Sequence, residues 1–404
     1  MPSLDPDARA SDAPVYLDNA ATTRLDAAVL EELIGSLRGT QGNPSSAHGL
    51  GAEASAALSR ARQATARALS VEPNEILFSS GGSESNNIAL RGAALALARR
   101  GRHIVTTSLE HPCVLETCRA LRDQHGFELS EVTPETDGQL DARRVLAAVR
   151  PDTVLVSTMH VQNETGALLP VAEIAAGLRA RSALAVMHID GVQAAGKGLT
   201  IPKGAHLYSV SAHKLHGPKG VGALMIRRGT RLRPFITGGG QEHGLRSGTE
   251  NLPSIVAFAK ALELAVARAP GFRSRWQRWC ERLRSGILAL GGVLNGPVEL
   301  PPVPIINASF PGLPSEALMH ALEARGVFVS NGSACASRRR DESHVLTAMG
   351  VPPERRKSAL RFSFAYDNHE HDSNRAVEAL GEALQELEPL RRGPPPRRAR
   401  RATQ

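Results

Sequence analysis

The sequence predicts an α/β fold, with a large domain on a mainly parallel β-sheet and a smaller α+β C-terminal domain. Short apolar runs alternate with longer amphipathic stretches through the first two thirds of the chain, which is typical of strand–helix–strand units. From about residue 270 the pattern changes to one helical face, a few strand-like runs and a Gly/Ser/Arg-rich loop at 331–341. A chain of 404 residues is long enough for two domains.

The apolar runs predict the strands, and the amphipathic stretches between them predict the helices. In chain order, strands are predicted at 15–17, 76–78, 103–107, 129–132, 154–158, 186–190, 207–210, 222–226, 303–309, 326–330 and 359–364. Helices are predicted at 52–70, at 84–100, from about 114 and at 253–268. Trp276, Cys280, Leu283 and Ile287 share one face of a further helix.

These elements predict four segments along the chain. Residues 1–14 form a flexible arm, and 15–268 form the large domain, with 15–25 as a candidate contact to the small domain. Residues 269–390 form the small domain, and 391–404 form a disordered Arg/Pro tail.

The net charge of +8 is concentrated in this tail, which has six arginines and no acidic residue and leaves +2 for the rest. A nearly neutral body argues against a nucleic-acid-binding fold, so the tail is the only candidate for such contacts. No apolar run approaches the roughly 20 residues that span a bilayer, and the acidic N-terminus lacks an apolar segment. We therefore expect no membrane contact and a cytoplasmic location. No Cys spacing suggests a metal site.

Lys214 is the most informative residue, because it follows the buried strand 207–210 and precedes a Gly-rich turn. A desolvated lysine at such a position loses its proton more readily and becomes a nucleophile for carbonyl groups. A solvated loop cation is the alternative when the residue is considered alone.

Ser80-Gly81-Gly82-Ser83-Glu84 lies between a predicted strand and a predicted helix. Glycines let the backbone approach an anion, and the amides of a helix start together with Gly82 and Ser83 are suited to phosphate. A glycine turn with a serine cap is the alternative. The segment is neither a dinucleotide fingerprint nor a Walker loop, which argues against nucleotide cofactors.

Other strand ends also present polar side chains, namely His111, Asn163 and Asp190. In a mainly parallel sheet these ends line one crevice. An acid there can hold a pyridinium proton, and an imidazole can stack on a flat ring and transfer protons. Together with Lys214 and the phosphate turn, this pattern describes a site for pyridoxal 5′-phosphate (PLP).

Several stretches of the chain resemble the PLP-dependent cysteine desulfurases of the class-V aminotransferase superfamily, in their housekeeping and nitrogen-fixation-type group. The stretches that carry the resemblance are Tyr16-Leu17-Asp18-Asn19-Ala20-Ala21-Thr22-Thr23, Ser211-Ala212-His213-Lys214, Gly238-Gly239-Gly240-Gln241-Glu242, Arg246-Ser247-Gly248-Thr249-Glu250-Asn251 and Leu360-Arg361-Phe362-Ser363. The resemblance implies PLP fold type I with a seven-stranded-type sheet, and a homodimer.

The resemblance also implies roles for individual residues. Lys214 matches the lysine that forms the Schiff base with PLP, and Asp190 matches the acid that contacts the pyridinium nitrogen. His111 matches the histidine that stacks on the PLP ring and acts as a base. Gln193 matches the residue that contacts the hydroxyl group of the ring. The implied phosphate contacts are Gly82, Ser83, Ser211, His213 and, from the neighbouring subunit of a dimer, Thr249. Asn163 and Arg361 match the residues that hold the substrate carboxylate.

Cys335 matches the family's Ser-Ala-Cys motif, within Asn331-Gly332-Ser333-Ala334-Cys335. The resemblance implies that its thiolate attacks the sulfur of cofactor-bound L-cysteine and leaves as a persulfide. Alanine is then released, and the sulfur passes to an acceptor protein such as an iron–sulfur cluster scaffold or a thiolation carrier. The other cysteines, Cys113, Cys118 and Cys280, are expected to serve packing.

Three features depart from the family pattern. Ser83 stands where many members have Thr, Arg338-Arg339-Arg340 makes the cysteine loop unusually basic, and Ala365-Tyr366-Asp367 replaces a Gly-containing stretch. The alternatives to a desulfurase are a selenocysteine lyase or another class-V aminotransferase, and a non-catalytic sulfur-transfer scaffold.

Overall fold

A seven-stranded sheet lies at the centre of the computed structural model, which describes residues 13–299, 303–332 and 342–391. Its strands are β2 (Ile76–Ser79), β3 (His103–Thr107), β4 (Glu128–Val132), β5 (Thr153–Met159), β6 (Val186–Asp190), β7 (Leu207–Ser211) and β8 (Gly222–Ile226). Their order is β2-β8-β7-β6-β5-β3-β4, and only β8 runs antiparallel to its neighbours. The predicted α/β class with a mainly parallel sheet is confirmed.

Helices cover both faces of this sheet, as a parallel sheet with two buried faces requires. They are α1 (Ala27–Gly39), α2 (Gly49–Leu69), α3 (Gly82–Leu97), α4 (Pro112–His125), α5 (Ala142–Ala148), α6 (Val171–Arg181) and α7 (Leu252–Ala289). Residues of α3 and α4 pack on one face, whereas α2, α5, α6 and the first half of α7 pack on the other. Strands β5, β6 and β7 are buried along their whole length.

A second, smaller sheet is antiparallel, in the order β12 (Ala359–Ser363), β10 (Ile305–Ser309), β9 (Val293–Leu294). The helices that follow α7 are α8 (Ser315–Glu323), α9 (His344–Ala348), α10 (Pro353–Arg356), α11 (Glu370–Glu386) and α12 (Glu388–Arg391). The N-terminal strand β1 (Val15–Tyr16) pairs in parallel with β11 (Val327–Phe328). Val15 and Leu17 accordingly lie in the same hydrophobic core as Leu360 and Leu380. The four-segment division itself stays a prediction.

Helix α7 is longer than the sequence predicts. We expect a helix end near residue 268, yet α7 continues through Pro270 to Ala289. Proline removes one backbone donor and so interrupts the ladder at one point only. The apolar face that resumes at Trp276 keeps the rest of the helix packed against the C-terminal core.

Tyr366 belongs to the stretch that departs from the family pattern, and it ties the C-terminal core to the large sheet. Its hydroxyl donates to the carbonyls of Gly196 and Ala265, and its ring packs on Phe272 and Trp276. Within the residues described above, no helix is both long and apolar enough to cross a membrane.

Candidate active site

A cavity of about 260 Å³ lies at the carboxyl ends of the parallel strands. It brings together side chains that are far apart in the sequence. The predicted site residues that line it are Gly82, Ser83, His111, Asn163, Asp190, Gln193, Ser211, His213, Lys214 and Arg361. The crevice expected from the strand ends is therefore present in the fold.

Lys214 lies in a short 3₁₀ turn directly after β7, and its amine points at the N-terminal segment of the chain. Its Nζ donates to the carbonyl oxygens of Ala20 at 2.5 Å and Ala21 at 2.6 Å. Two carbonyl acceptors stabilise an ammonium group, and they hold the amine at the cavity wall. Lys214 is thus positioned by residues almost 200 positions earlier in the chain.

The turn between β2 and α3 forms an anion cradle. Gly81 adopts a positive φ of 149°, and a Cβ added to Gly82 would lie 2.7 Å from Cγ2 of Val192. The amides at the start of the 16-residue helix α3 face this space. Ser211 supplies a buried hydroxyl that has no hydrogen-bond partner among the described residues. These features fit a phosphate group.

Glu84 fixes this turn in place. It accepts hydrogen bonds from the Ser80 amide at 2.5 Å and from Arg246 Nε at 3.0 Å. Burial alone would raise the pKa of Glu84, but these bonds and the Arg246 charge hold that pKa below its usual range. The carboxylate stays ionised and keeps the cradle glycines in position.

Asp190 ends β6, and its carboxylate is 5% exposed. Its Oδ2 accepts from Asn86 Nδ2 at 2.7 Å, and its Oδ1 accepts from the Val192 amide at 3.0 Å. Asn86 was not predicted from the sequence, because no motif marks it. A carboxylate fixed by two donors in a cavity wall suits a cationic ring nitrogen.

His111 caps α4, since its Nδ1 accepts from the Cys113 amide at 3.2 Å. Burial lowers its pKa; Lys214 and His344 lower it further, and the Asp190 charge opposes them. His213 also lies on the cavity wall, and burial together with the Lys214 and Lys219 charges lowers its pKa to about 4. Both imidazoles are therefore neutral near pH 7.

Gln193 has both ends of its amide fixed. Its Nε2 donates to the Ala20 carbonyl at 2.9 Å, and its Oε1 accepts from Lys197 Nζ at 3.1 Å. Burial lowers the pKa of Lys197 to about 8. Lys197 was not predicted from the sequence, although its spacing of four residues from Gln193 would have indicated a contact on a helical turn.

Arg361, in β12, is 1% exposed and lines the cavity. Its two terminal nitrogens donate to the Asn163 carbonyl at 3.0 Å and to Asp18 Oδ1 at 2.8 Å. Its Nε is buried and has no hydrogen-bond partner among the described residues. A buried guanidinium with unused donor capacity suits a carboxylate ligand.

Thr249, predicted to contact the phosphate of a neighbouring subunit, is exposed and does not line the cavity of its own subunit, so its role stays a prediction. Cys335, like Arg338–Arg340, lies outside the described residues. Cys113 was expected to serve packing, yet it lines the cavity beside His111. Cys118 and Cys280 are buried in hydrophobic cores, as packing cysteines should be.

The cavity thus combines an anion cradle, a buried carboxylate, neutral imidazoles and an amine held at the wall. A phosphorylated pyridine aldehyde matches each of these groups, because it offers a phosphate, a ring nitrogen and a carbonyl carbon. The unpartnered Ser211 hydroxyl and the absence of a Cβ at Gly82 are observations of this fold that fit PLP.

Comparison with known proteins agrees with this chemistry. The aminotransferase class-V family model matches residues 15–375. A protein named cysteine desulfurase IscS from Anaeromyxobacter dehalogenans (strain 2CP-C) is 42% identical over 390 residues, which cover 93% of this chain and 95% of that protein. Cysteine desulfurase 2 from Trichormus variabilis is 39% identical over 379 residues, which cover 92% of this chain and 94% of that protein.

Solved structures are similar as well. A NifS-like protein superposes with a TM-score of 0.86 at 38% identity, over 93% of this chain and 100% of that chain. A structure described as SspA in complex with cysteine gives a TM-score of 0.73 at 32% identity, over 86% of this chain and 98% of that chain.

Proposed function

Because this chain belongs to the aminotransferase class-V family, we propose that it is a PLP-dependent cysteine desulfurase. It converts L-cysteine to L-alanine and transfers the sulfur to an enzyme cysteine and then to an acceptor protein. The observation that carries the proposal is the convergence of Lys214, Asp190 and Arg361 on one cavity. The names of the relatives at about 40% identity support the same activity.

The cofactor would be held by the groups already described. The start of α3 with Ser83, Ser211 and His213 would hold its phosphate, and Asp190 would accept a hydrogen bond from its ring nitrogen. Gln193 would donate to the ring hydroxyl, and Lys214 would bind the aldehyde carbon. When bound, PLP supplies an electron sink that stabilises negative charge on the substrate Cα.

The remaining chemistry belongs to the side chains. Arg361 and Asn163 bind the substrate carboxylate and fix the amino acid beside Lys214. The Lys214 amine lines the same cavity as these two residues, and in its neutral form it can accept the proton that is removed from Cα. The carbonyl oxygens of Ala20 and Ala21 accept hydrogen bonds from this amine and hold it at the cavity wall.

Cys335 performs the sulfur transfer. Its thiolate attacks the substrate sulfur, the Cβ–S bond breaks, and the electron pair of that bond stays with the amino-acid carbon skeleton. Protonation of Cβ and return of a proton from Lys214 to Cα then complete alanine, and Cys335 carries the persulfide. A further thiol of an acceptor protein takes the outer sulfur; an iron–sulfur cluster scaffold or a thiolation carrier has the required chemistry.

We also propose that the chain works as a homodimer. Thr249 and the glycine-rich turn Gly238–Gly240 are exposed and do not line the cavity of their own subunit. Exposed leucines of α1 and α2, namely Leu30, Leu37 and Leu50, offer apolar area to a second copy.

The test begins with the visible absorption of the purified protein after loading with PLP. L-cysteine is then added, and alanine and sulfide are measured in the presence of a thiol. The parent should show the cofactor band, change it on cysteine addition and release both products. Lys214→Ala should lose both products, whereas Cys335→Ala should keep the band and the spectral change but form no persulfide.

The matched control is Cys280→Ala, which removes a buried thiol far from the cavity and should leave turnover intact. A parent that binds PLP but makes pyruvate from alanine instead of alanine from cysteine would replace the proposal with an aminotransferase. If Cys335→Ala still converted L-cysteine to alanine at the parental rate, the assignment of Cys335 as the nucleophile would be contradicted.

A further inference from the structure

Cys113 lies in the cavity wall, and the proposed reaction gives it no task. Its Sγ is 3.0 Å from Nδ1 of His111 and 3.2 Å from Nδ2 of Asn86. The thiol therefore lies between the imidazole that faces the cofactor space and an amide that contacts Asp190. Such a position can control where the imidazole carries its proton.

The direction of the bond to His111 follows from the backbone. The Cys113 backbone N–H donates to His111 Nδ1 at 3.2 Å, and a backbone amide can only donate. Nδ1 must therefore offer its lone pair and carry no hydrogen. A neutral imidazole has one N–H, so its hydrogen resides on Nε2.

The direction of the second bond follows from Asn86. Its Nδ2 donates to Asp190 Oδ2 at 2.7 Å and to Cys113 Sγ at 3.2 Å, which uses both amide hydrogens. Asn86 Oδ1 is buried and has no hydrogen-bond partner among the described residues. The amide is therefore oriented with its nitrogen towards the carboxylate of Asp190 and the sulfur of Cys113. The sulfur accepts from Asn86, and its own hydrogen points to His111.

Cys113 keeps that hydrogen at neutral pH. Burial and the nearby Asp190 charge raise the pKa of the thiol to about 12, although hydrogen bonds from Asn86 and Ser83 act in the opposite direction. A thiol that stays protonated is a donor and not a nucleophile. Cys113 is thereby distinguished from the cysteine that would carry sulfur.

We propose that Cys113 is a positioning residue that keeps His111 neutral and protonated on Nε2. Its backbone amide fixes the tautomer, and its thiol, at the end of the chain Asp190–Asn86–Cys113–His111, disfavours a second proton on Nδ1. The tautomer follows from these contacts alone. Its consequence for catalysis rests on the proposed function. With a hydrogen on Nε2, His111 presents a donor to the cofactor space, and a second proton on Nδ1 would break both contacts from Cys113.

The groups around His111 also influence whether its imidazole takes up a second proton. Burial, Lys214 and His344 disfavour the imidazolium, and Asp190 favours it. His344 approaches from α9, where its Nε2 donates to the Glu110 carbonyl at 2.9 Å. The thiol adds a further donor to Nδ1, which also disfavours protonation there. Proton abstraction from the substrate is then left to Lys214.

The test is ¹⁵N NMR of the full chain with labelled histidines, recorded with and without PLP and before any substrate is added. His111 is identified by the signals that His111→Asn removes. The parent should show the Nε2-protonated form. Cys113→Ala removes the thiol donor, Cys113→Ser retains a donor, and Cys118→Ala removes the buried thiol of the same helix that packs in the core instead.

In spectra recorded as a function of pH, Cys113→Ala should keep the Nε2-protonated tautomer, because the backbone amide still donates to Nδ1. It should raise the His111 pKa by about 0.5–1 unit, the loss expected for one hydrogen bond. Cys113→Ser and Cys118→Ala should retain the parental spectrum. In turnover, Cys113→Ala should lower kcat by about three- to tenfold with KM changed less than about twofold. An Nδ1-protonated His111 in the parent, or an unchanged His111 pKa in Cys113→Ala, would overturn the inference.

The parent spectrum alone decides the tautomer if Cys113→Ala fails to fold. The two proposals also fail separately. A protein with the expected tautomer but no alanine production would refute the desulfurase and leave the role of Cys113 in place. Normal turnover with an Nδ1-protonated His111 would refute the role of Cys113 and leave the desulfurase proposal in place.

Discussion

At the scale of single residues, Arg361 shows how a buried charge can be kept ready for a ligand. The residue is 1% exposed, and its guanidinium forms an ion pair with Asp18 and retains a buried Nε without a partner among the described residues. A buried charge of this kind is costly unless it is paired. Asp18 provides that pairing, and the orphaned donor is available to a substrate carboxylate.

Replacing Arg361 with Lys should therefore affect substrate binding most. The fork geometry is lost and the charge is kept, so KM for L-cysteine should rise about ten- to a hundredfold, as expected for a charge-assisted contact of about 1.5–3 kcal/mol. Steady-state alanine production measures this. Arg150→Lys, at a surface ion pair with Glu128 and Asp152, is the control and should leave KM as it is. An unchanged KM in Arg361→Lys would show that the substrate carboxylate does not bind to Arg361.

Glu110 carries a pH dependence of a different kind. Its Oε1 accepts from Thr107 and from the Met159 amide, whereas its Oε2 is buried and has no hydrogen-bond partner among the described residues. Burial raises the pKa of Glu110 to about 8 from an ordinary value of 4.5. The folded chain then keeps a proton that the unfolded chain releases, so the contribution of Glu110 to stability is fully present below pH 4.5 and is lost as the pH rises towards 8.

Glu110→Gln imitates the protonated form and cannot ionise. Between pH 5 and pH 8, its free energy of unfolding should fall less than that of the parent, by at least about 1 kcal/mol. Urea titrations at the two pH values give the comparison. Glu116→Gln, on the exposed face of the helix that follows, should keep the parental slope. Identical slopes in Glu110→Gln and the parent would show that Glu110 is ionised in the folded state.

At the scale of elements, the start of α3 leaves no room for one added methyl group at Gly82. A Cβ on Gly82 would lie 2.7 Å from Val192 and would occupy the space of the anion cradle. Gly82→Ala should weaken PLP binding by tenfold or more, on the order of the 1.4 kcal/mol that one decade requires. Cofactor titration followed by absorbance measures the change.

Gly271→Ala provides the matched substitution, since a Cβ there meets nothing within 4 Å. Gly271 lies inside α7, where alanine is favoured by roughly 0.5–1 kcal/mol, so this variant should be slightly more stable and bind PLP normally. If both variants bind PLP like the parent, the phosphate does not approach Gly82.

The same elements mark how far sequence reasoning reaches. Lys214, Asp190 and His111 could be predicted because each follows a strand, and parallel strands bring their ends together. Asp18 and Ala20 could not, because their contacts to Arg361 and Lys214 span 343 and 194 residues and leave no local pattern. The length of α7 escaped prediction for a related reason, since tertiary packing beyond Pro270 outweighs the local helix-breaking signal.

At the scale of the whole molecule, the dimer proposal makes a prediction about mixed subunits. One subunit carries Lys214→Ala, and the other carries Thr249→Asp, which places a carboxylate beside the phosphate. Each variant alone should have little activity at limiting PLP, because one lacks the amine and the other repels the anion. Co-expression with two affinity tags should give mixed dimers with one intact site and thus about half of the parental activity.

Activity equal to the average of the two separate variants would contradict this arrangement. In that case Thr249 would serve its own subunit or none. Lys214→Ala mixed with parental chains is the control, and it should show activity in proportion to the parental chains.

The pairing of β1 with β11 has a consequence for the timing of synthesis. The first strand, Val15–Tyr16, has its partner at Val327–Phe328, and the carbonyls that hold Lys214 follow directly after that first strand. At about 5–20 residues per second, a ribosome needs roughly 15–60 s to travel between the two strands. The emerging chain can build its central sheet during that interval, but not the finished wall of the cavity. A newly made subunit should therefore acquire its cofactor stably only after the C-terminal strands have left the ribosome.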